Sequence, residues 1–189
     1  MDLVMPKNDM QIQQQTGYGA IAKLLHWGMA LLVISALLAI EFRDQFPKGP
    51  IRHAVIGWHF QAGLCVLLLV LVRIVWRVKN PTPPISPPLS RIQELSATVA
   101  HVSLYALMLI LPLIGILARQ SRGNEIDFFG YILPTLLDED SGLPYAITIK
   151  AVHAYLGNVL IGLLVAHALM ALFHHLVRRD NTLNRMLPW

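Results

Sequence analysis

Four long apolar segments separated by polar connections dominate the pattern of hydrophobic and polar positions. They are Ile21 to Ile40, Val55 to Trp76, Ala97 to Ala118 and Ala151 to Val177. Each is close to the ~20 residues that an α-helix needs to cross the hydrocarbon core of a bilayer. A lone strand would leave its backbone groups unpaired in lipid, so each segment must be helical. The pattern predicts an all-α fold, an integral membrane four-helix bundle.

The connections divide the chain further. The second connection contains NPTPPISPPLS and is too rich in proline for a helix, so we expect a stiff, extended loop. The third connection, Arg119 to Lys150, is the longest, and it has room for a short amphipathic surface helix. We predict an N-terminal extension over residues 1–19, a transmembrane domain over 20–178 and a tail over 179–189. The extension lacks the basic start of a signal peptide, so we expect the first span to be retained.

Composition supports a membrane protein. Charged residues make up only 14% of the 189 residues, whereas an ordinary soluble domain has about 25%. The net charge of +4 is modest and gives no indication of nucleic-acid binding. We therefore expect membrane lipid, and no nucleic acid, among the partners. Cys65 is the only cysteine, so no intramolecular disulfide can form.

The distribution of lysine and arginine predicts the orientation, because cytoplasmic loops carry the excess of these residues. With the N-terminus inside, nine basic residues lie on the cytoplasmic side: Lys7, Lys23, Arg73, Arg77, Lys79, Arg91, Arg178, Arg179 and Arg185. Six lie on the other side: Arg43, Lys48, Arg52, Arg119, Arg122 and Lys150. The outer side also holds most of the acids, among them the run from Asp138 to Asp140. We predict an inner-membrane protein with both termini in the cytoplasm.

Histidines inside the apolar segments are the candidate chemistry, since ionisable residues in a span are costly and usually functional. His153 and His167 lie fourteen residues apart in the fourth segment. In a helix this interval is a rise of about 21 Å with both side chains on nearly one face. One helix thus offers two stacked imidazoles, which suggests two cofactors stacked across the membrane. Haem iron accepts such axial ligands.

Depth along the spans sorts these histidines into two pairs. With the predicted orientation, His59 and His153 lie near the outer ends of spans two and four. His26 and His167 lie at an inner level, about 8 Å and 15 Å from the cytoplasmic ends of spans one and four. We therefore predict that these four residues ligate the iron of two haems, one pair at each level.

A small residue four positions after a histidine would let a flat ring approach the helix, because both lie on one face. All four candidates have one, namely Ala30, Gly63, Gly157 and Ala171. His101 is followed by Tyr105 and fails this filter, so its role stays open between helix–helix hydrogen bonding and lining a site. Packed, hydrogen-bonded histidines are the alternative for any one candidate, but four at paired depths favour ligation.

Arg73 is the candidate partner for a cofactor carboxylate. It follows His59 by fourteen residues, the same interval that separates His153 from His167, so it should reach the inner level. Arginine there suits a haem propionate. Snorkelling of the side chain towards cytoplasmic water is the alternative.

Several motifs carry a resemblance that spans about residues 18–188. They are the pair His26-Trp27, EFRDQFP, PTPP, LPLIG, RGN and DNTLNRMLP. Together they resemble the bacterial cytochrome b561 family of short, four-helix, dihaem membrane cytochromes. More distantly, the arrangement is similar to the cytochrome b subunits of formate dehydrogenases and nickel–iron hydrogenases. The family's haem ligands fall on His26, His59, His153 and His167.

The resemblance implies two b-type haems and an exchangeable quinone, ubiquinone or menaquinone. No CxxCH motif is present, so the haems are expected to be held non-covalently. His174 follows His167 by seven residues on nearly the same face, about 10 Å further inward. It is the quinone candidate, with headgroup anchoring as the alternative for both His174 and His175. Arg122 in the RGN motif is a second propionate candidate.

The resemblance implies electron transfer between a periplasmic donor and membrane quinone. Superoxide is one donor that such a family implies. No catalytic residue is assigned, and activity as a quinone-linked oxidoreductase stays open. The alternative is a haem-bearing anchor subunit of a larger respiratory dehydrogenase or hydrogenase. Co-purification of an iron–sulfur partner would distinguish the two.

Overall fold

The computed structural model describes residues 17–136 and 143–188 and contains the four predicted helices. They are α1 (Ala20–Phe42), α2 (Pro50–Lys79), α3 (Arg91–Gln120) and α4 (Ala146–Phe173). All four are long and apolar enough to cross a membrane. The prediction of an all-α membrane bundle is confirmed.

Helices α2, α3 and α4 begin several residues earlier than the apolar pattern predicts, and local start signals account for the first two. Helix α2 begins at Pro50, whose ring fixes a backbone angle suited to the first helical position. Helix α3 follows Ser90, whose hydroxyl accepts a hydrogen bond from the backbone N–H of Gln93, while the Gln93 side chain accepts one from the Ser90 N–H. This capping box satisfies backbone donors at a polar helix start. Hydropathy is insensitive to such signals, so it underestimated both helices.

A small hairpin occupies the first described part of the third connection, and a 3₁₀ turn over Leu143–Tyr145 leads into α4. Strand β1 (Asp127–Phe128) pairs antiparallel with β2 (Tyr131–Ile132). The turn residues Phe129 and Gly130 have φ of 50° and 90°, as a tight two-residue hairpin requires. The expected surface helix is wrong for residues 119–136, because this turn reverses the chain at once. The acidic run from Asp138 to Asp140, residues 1–16 and Trp189 lie outside the described residues.

The helices pack in sequence order, α1 on α2, α2 on α3 and α3 on α4. A central apolar layer joins them, formed by Val33, Val66, Leu104, Leu111 and Leu160. Among the described residues, α4 has almost no close backbone contact with α1 or α2. The bundle therefore leaves α4 separated from these two helices.

The C-terminal segment folds back over the end of the bundle that contains the start of α1. The indole N–H of Trp27 donates to the carbonyl of Met186 at 2.8 Å. Asn181 and Ser86 exchange two hydrogen bonds, so the segment also holds the proline-rich connection. The predicted tail is thus part of the folded structure up to residue 188.

Candidate functional site

His59 on α2 and His153 on α4 face each other near one end of the bundle. Their ring centres are 6.1 Å apart. The Nδ1 of His59 lies 2.9 Å from the carbonyl oxygen of Ala36, and that of His153 lies 3.1 Å from the carbonyl oxygen of Leu111. A carbonyl can only accept, so both Nδ1 atoms carry the proton. The Nε2 lone pairs are then available. Metal-ligating histidines use this tautomer, in which the other ring nitrogen donates its proton to a nearby acceptor.

His26 on α1 and His167 on α4 form a second pair towards the other end, with ring centres 6.3 Å apart. Arg73 reaches this level, as the fourteen-residue interval predicts. Its Nη1 donates to Nδ1 of His26 at 3.0 Å, and its Nε donates to the hydroxyl of Tyr105 at 2.9 Å. The second pair therefore has a fixed cation beside it.

The spacing of both pairs fits a six-coordinate metal. Two imidazoles that ligate one metal from opposite sides, with bonds of about 2 Å, hold their ring centres roughly 6 Å apart. Both pairs bridge to α4 from helices that stay clear of its backbone, which leaves width for a macrocycle. A Cβ built at Gly63 or Gly157 would meet no atom within 4 Å, and Ala30 and Ala171 are half-buried. The donor set and its surroundings fit haem.

His101 on α3 also lies near His167, at 5.5 Å between ring centres. The filter on small neighbours set this residue aside, and the packing gives a second reason. Helices α3 and α4 pack directly on each other, so no macrocycle fits between these two rings. His101 therefore lines the inner level without being positioned to share an iron with His167.

A cavity of about 540 Å³ adjoins Arg73 at the inner end of the bundle. Within residues 17–136 and 143–188 its polar lining residues are all cationic or neutral: Tyr18, Lys23, Arg73, Arg77, Asn80 and Tyr105. Three cations around one cavity favour an anionic group. Of these three cations only Arg73 is predicted from the sequence, because it alone follows His59 by the fourteen-residue interval.

The second propionate candidate, Arg122, has an exposed side chain, and its carbonyl accepts a hydrogen bond from Asn124. Arg119 lies nearer the outer histidines. Its guanidinium is 5.1 Å from the ring centre of Phe60, which in turn lies 5.9 Å from the His59 ring. Sequence reasoning missed Arg119, although its position in the last turn of the third span was a usable signal.

His174 is buried, with 7% of its surface exposed, whereas the neighbouring His175 is exposed. The Nδ1 of His174 lies 2.6 Å from a carboxylate oxygen of Asp180. Anchoring at lipid headgroups therefore fits His175 and not His174. Asp180 was not selected from the sequence, because only the turn after α4 brings it to His174.

Four helices that are long and apolar enough to cross a membrane, with histidine pairs at two levels between them, are typical of a polytopic membrane protein of the cytochrome class. The profile of the prokaryotic cytochrome b561 family matches residues 17–189. The chain belongs to this family. It is therefore a bacterial membrane cytochrome that carries b-type haem and transfers electrons.

Relatives of similar length support this assignment. The chain is 38% identical over 173 residues to a protein named probable superoxide oxidase CybB of Yersinia pestis, covering 90% of this chain and 96% of the relative. Cytochrome b561 homolog 1 of Escherichia coli (strain K12) is 34% identical over 165 residues, covering 87% and 93%. Cytochrome b561 homolog 2 of the same organism is 31% identical over 179 residues, covering 90% of each.

Proposed function

We propose that the protein carries electrons across the inner membrane through two b-type haems, each ligated by two histidines. His59 and His153 hold the outer haem, and His26 and His167 hold the inner one. The observation that carries this proposal is the pair of ring-centre distances, 6.1 and 6.3 Å, at two levels of the same bundle. When bound, the haems supply one-electron redox chemistry, and two histidine ligands leave no open iron position for oxygen.

Residues of this chain would orient the histidine ligands and offset the negative charge of the haem propionates. The carbonyls of Ala36 and Leu111 fix the outer imidazoles in the ligating tautomer. At the inner level a propionate would compete with His26 for the guanidinium of Arg73. Since arginine only donates, its release from Nδ1 of His26 would let that ring adopt the ligating tautomer as well. Lys23 and Arg77 in the same cavity add to the attraction for a carboxylate.

The electron donor proposed is a one-electron reductant on the periplasmic side. One relative is named a probable superoxide oxidase, which favours superoxide as that donor. Superoxide would lose one electron and leave as dioxygen. Arg119, whose guanidinium lies over the Phe60 ring beside His59, would attract such an anion.

The electron acceptor proposed is membrane quinone, ubiquinone or menaquinone, near His174 at the cytoplasmic end. Reduction of a quinone needs protons as well as electrons, so its site must border both lipid and water. His174 follows the inner ligand His167 on the same helix and ends α4 at the level of the tail. Imidazole is the side chain that exchanges protons near neutral pH.

Haem stoichiometry tests the dihaem proposal directly. We expect the pyridine haemochrome of the purified protein to have a b-type spectrum with about two haems per chain, because two histidine pairs are available. The haem must be extractable in acidified acetone, since no covalent attachment motif is present. A ratio of about one haem per chain would contradict the proposal.

Orientation is tested by reporter fusions after residue 188. The nine basic residues against six favour a cytoplasmic C-terminus, so we expect a fluorescent reporter to be active there and a periplasmic phosphatase reporter to be inactive. A fusion in the connection after α3, near Gly130, is the matched control and should show the opposite pair of activities. Phosphatase activity at the C-terminus would reverse the topology and exchange the inner and outer assignments of the haems.

A further inference from the structure

The end of α4 turns so that Asp180 lies against His174. The helix closes with one π-helical turn over His174–Arg178. Arg179 then adopts a left-handed conformation with φ of 55°, which residues other than glycine, asparagine and aspartate rarely adopt. The backbone N–H of Asp180 donates back to the carbonyl of His174 at 3.2 Å. The chain therefore reverses within two residues through a π-turn, which commonly ends a helix.

The Asp180 carboxylate is fully buried and has three donors. It accepts from His174 Nδ1 at 2.6 Å, from Arg178 Nε at 3.1 Å and from the Thr182 N–H at 2.9 Å. Burial by itself raises the pKa of Asp180, but the hydrogen bonds from His174 and Thr182 outweigh it and lower that pKa to about 2. A buried carboxylate is thus kept as an anion, directly against the imidazole.

The cation beside the Asp180 carboxylate is Arg178, and groups outside α4 hold its side chain in place. Arg178 also donates to the side-chain oxygen of Gln93 at 2.5 Å and to the carbonyl of Pro88 at 3.5 Å. Arg185 is the other charged group that faces Asp180. The groups from α3 and from the proline-rich connection that contact this network are neutral. The imidazole of His174 therefore has one anionic neighbour, whose position is set by several elements.

The hydrogen bond decides which nitrogen of His174 is available. Nδ1 is directed at a carboxylate, which can only accept, so Nδ1 carries a proton. His174 makes no second side-chain hydrogen bond within residues 17–136 and 143–188, so Nε2 is the nitrogen left for a ligand. A carboxylate in this position orients an imidazole and stabilises its protonated form, as in other histidine–aspartate pairs.

We propose that Asp180 is the positioning residue for proton delivery to quinone, acting through His174. This inference rests on the proposed quinone function. Conversion of a quinone to a quinol adds two electrons, which the haem-loaded protein would supply one at a time, and two protons from the cytoplasmic side. For one proton, the Nε2–H bond of the doubly protonated His174 breaks and an O–H bond forms on a quinone oxygen, while Nδ1–H stays bonded to Asp180. Water returns a proton to Nε2, and Asp180 remains ionised throughout.

The test compares His174→Ala, Asp180→Asn and the double variant in the haem-loaded, full-length protein with a soluble ubiquinone analogue. Asp180→Asn keeps the shape of the side chain and removes its charge. We expect each single variant to lower kcat for quinone reduction at least about tenfold with KM unchanged. The double variant should be no slower than His174→Ala.

Two controls and one structural readout accompany the kinetics. His175→Ala removes the adjacent exposed histidine, and Glu94→Gln makes the same carboxylate-to-amide change on an exposed residue at the start of α3. Both should react at the wild-type rate. Hydrogen–deuterium exchange of backbone amides over residues 174–188 should be the same in Asp180→Asn as in wild type. This measures folding of the turn independently of activity.

The outcomes separate the inference from the function on which it rests. If His174→Ala reduces quinone normally, the quinone site itself is wrong, and the role of Asp180 falls with it. If His174→Ala is slow but Asp180→Asn has the wild-type kcat and KM, only the role of Asp180 is wrong. Faster amide exchange in Asp180→Asn, or a further loss of rate in the double variant, would show a structural role and overturn the proposal.

Discussion

Alanine at His59 or His153 is expected to remove the outer haem and leave about one b-type haem per chain. Alanine at His26 or His167 is expected to remove the inner haem instead. The reason is geometric, since each pair holds its rings about 6 Å apart between α4 and a neighbouring helix, α2 or α1, and a missing ligand would leave the iron with one imidazole. Redox titration of the purified variants, followed in the visible spectrum, measures which of the two components is lost.

His101→Ala is the matched control for this series. It removes a third imidazole from the inner level, 5.5 Å from His167, without removing a proposed ligand. We expect both spectral components to persist in it. Loss of the inner component in His101→Ala, with its retention in His26→Ala, would transfer the ligand role to His101. Loss of the same component in His26→Ala and His153→Ala would contradict the pairing by depth.

The four spans could be predicted from sequence because lipid imposes a single local rule. A run of about 20 apolar residues must form a helix to cross the bilayer. The histidine pairs could be predicted for a related reason. Within one straight helix, position along the chain converts to depth, so His153 and His167 define two levels without any tertiary information. The same conversion brought Arg73 to the inner level, where the structure has it beside His26.

Features that depend on contacts between distant segments could not be obtained in this way. The bond from Trp27 to Met186 joins residues 159 positions apart, and no periodicity signals it. Asp180 reaches His174 only because Arg179 takes a left-handed conformation that its residue type does not predict. The hairpin at Phe129 and Gly130 is similar, since only the glycine in it is a recognised turn signal.

Gly115, the last residue of the LPLIG motif, lets the His153 ring lie close to α3. The His153 ring reaches the carbonyl of Leu111 across the face of α3, and Gly115 lies one turn further along that face. A Cβ at Gly115 would be 3.1 Å from Cε1 of His153, tighter than an ordinary van der Waals contact. Glycine at this position therefore allows the ring to approach the helix and to keep its Nε2 lone pair free.

Gly115→Leu is accordingly expected to displace His153 and to remove the outer haem, leaving the inner haem at about one per chain. Gly115→Ala should give a smaller loss, because the ring needs to move by only a few tenths of an ångström. Replacing a glycine inside a helix stabilises that helix by up to about 1 kcal/mol, so a loss of haem cannot be attributed to a weakened helix. Haem content per chain and the redox titration of each variant measure the effect.

Gly162→Leu provides the matched control on α4, because a Cβ there would meet nothing within 4 Å and the residue is exposed. It makes the same change of residue in a spanning helix and should retain both haems. If Gly115→Leu also retained both haems at wild-type potentials, the contact between α3 and His153 would not position the outer ligand. Equal loss of haem in both variants would instead indicate that a leucine at either glycine disturbs the bundle as a whole.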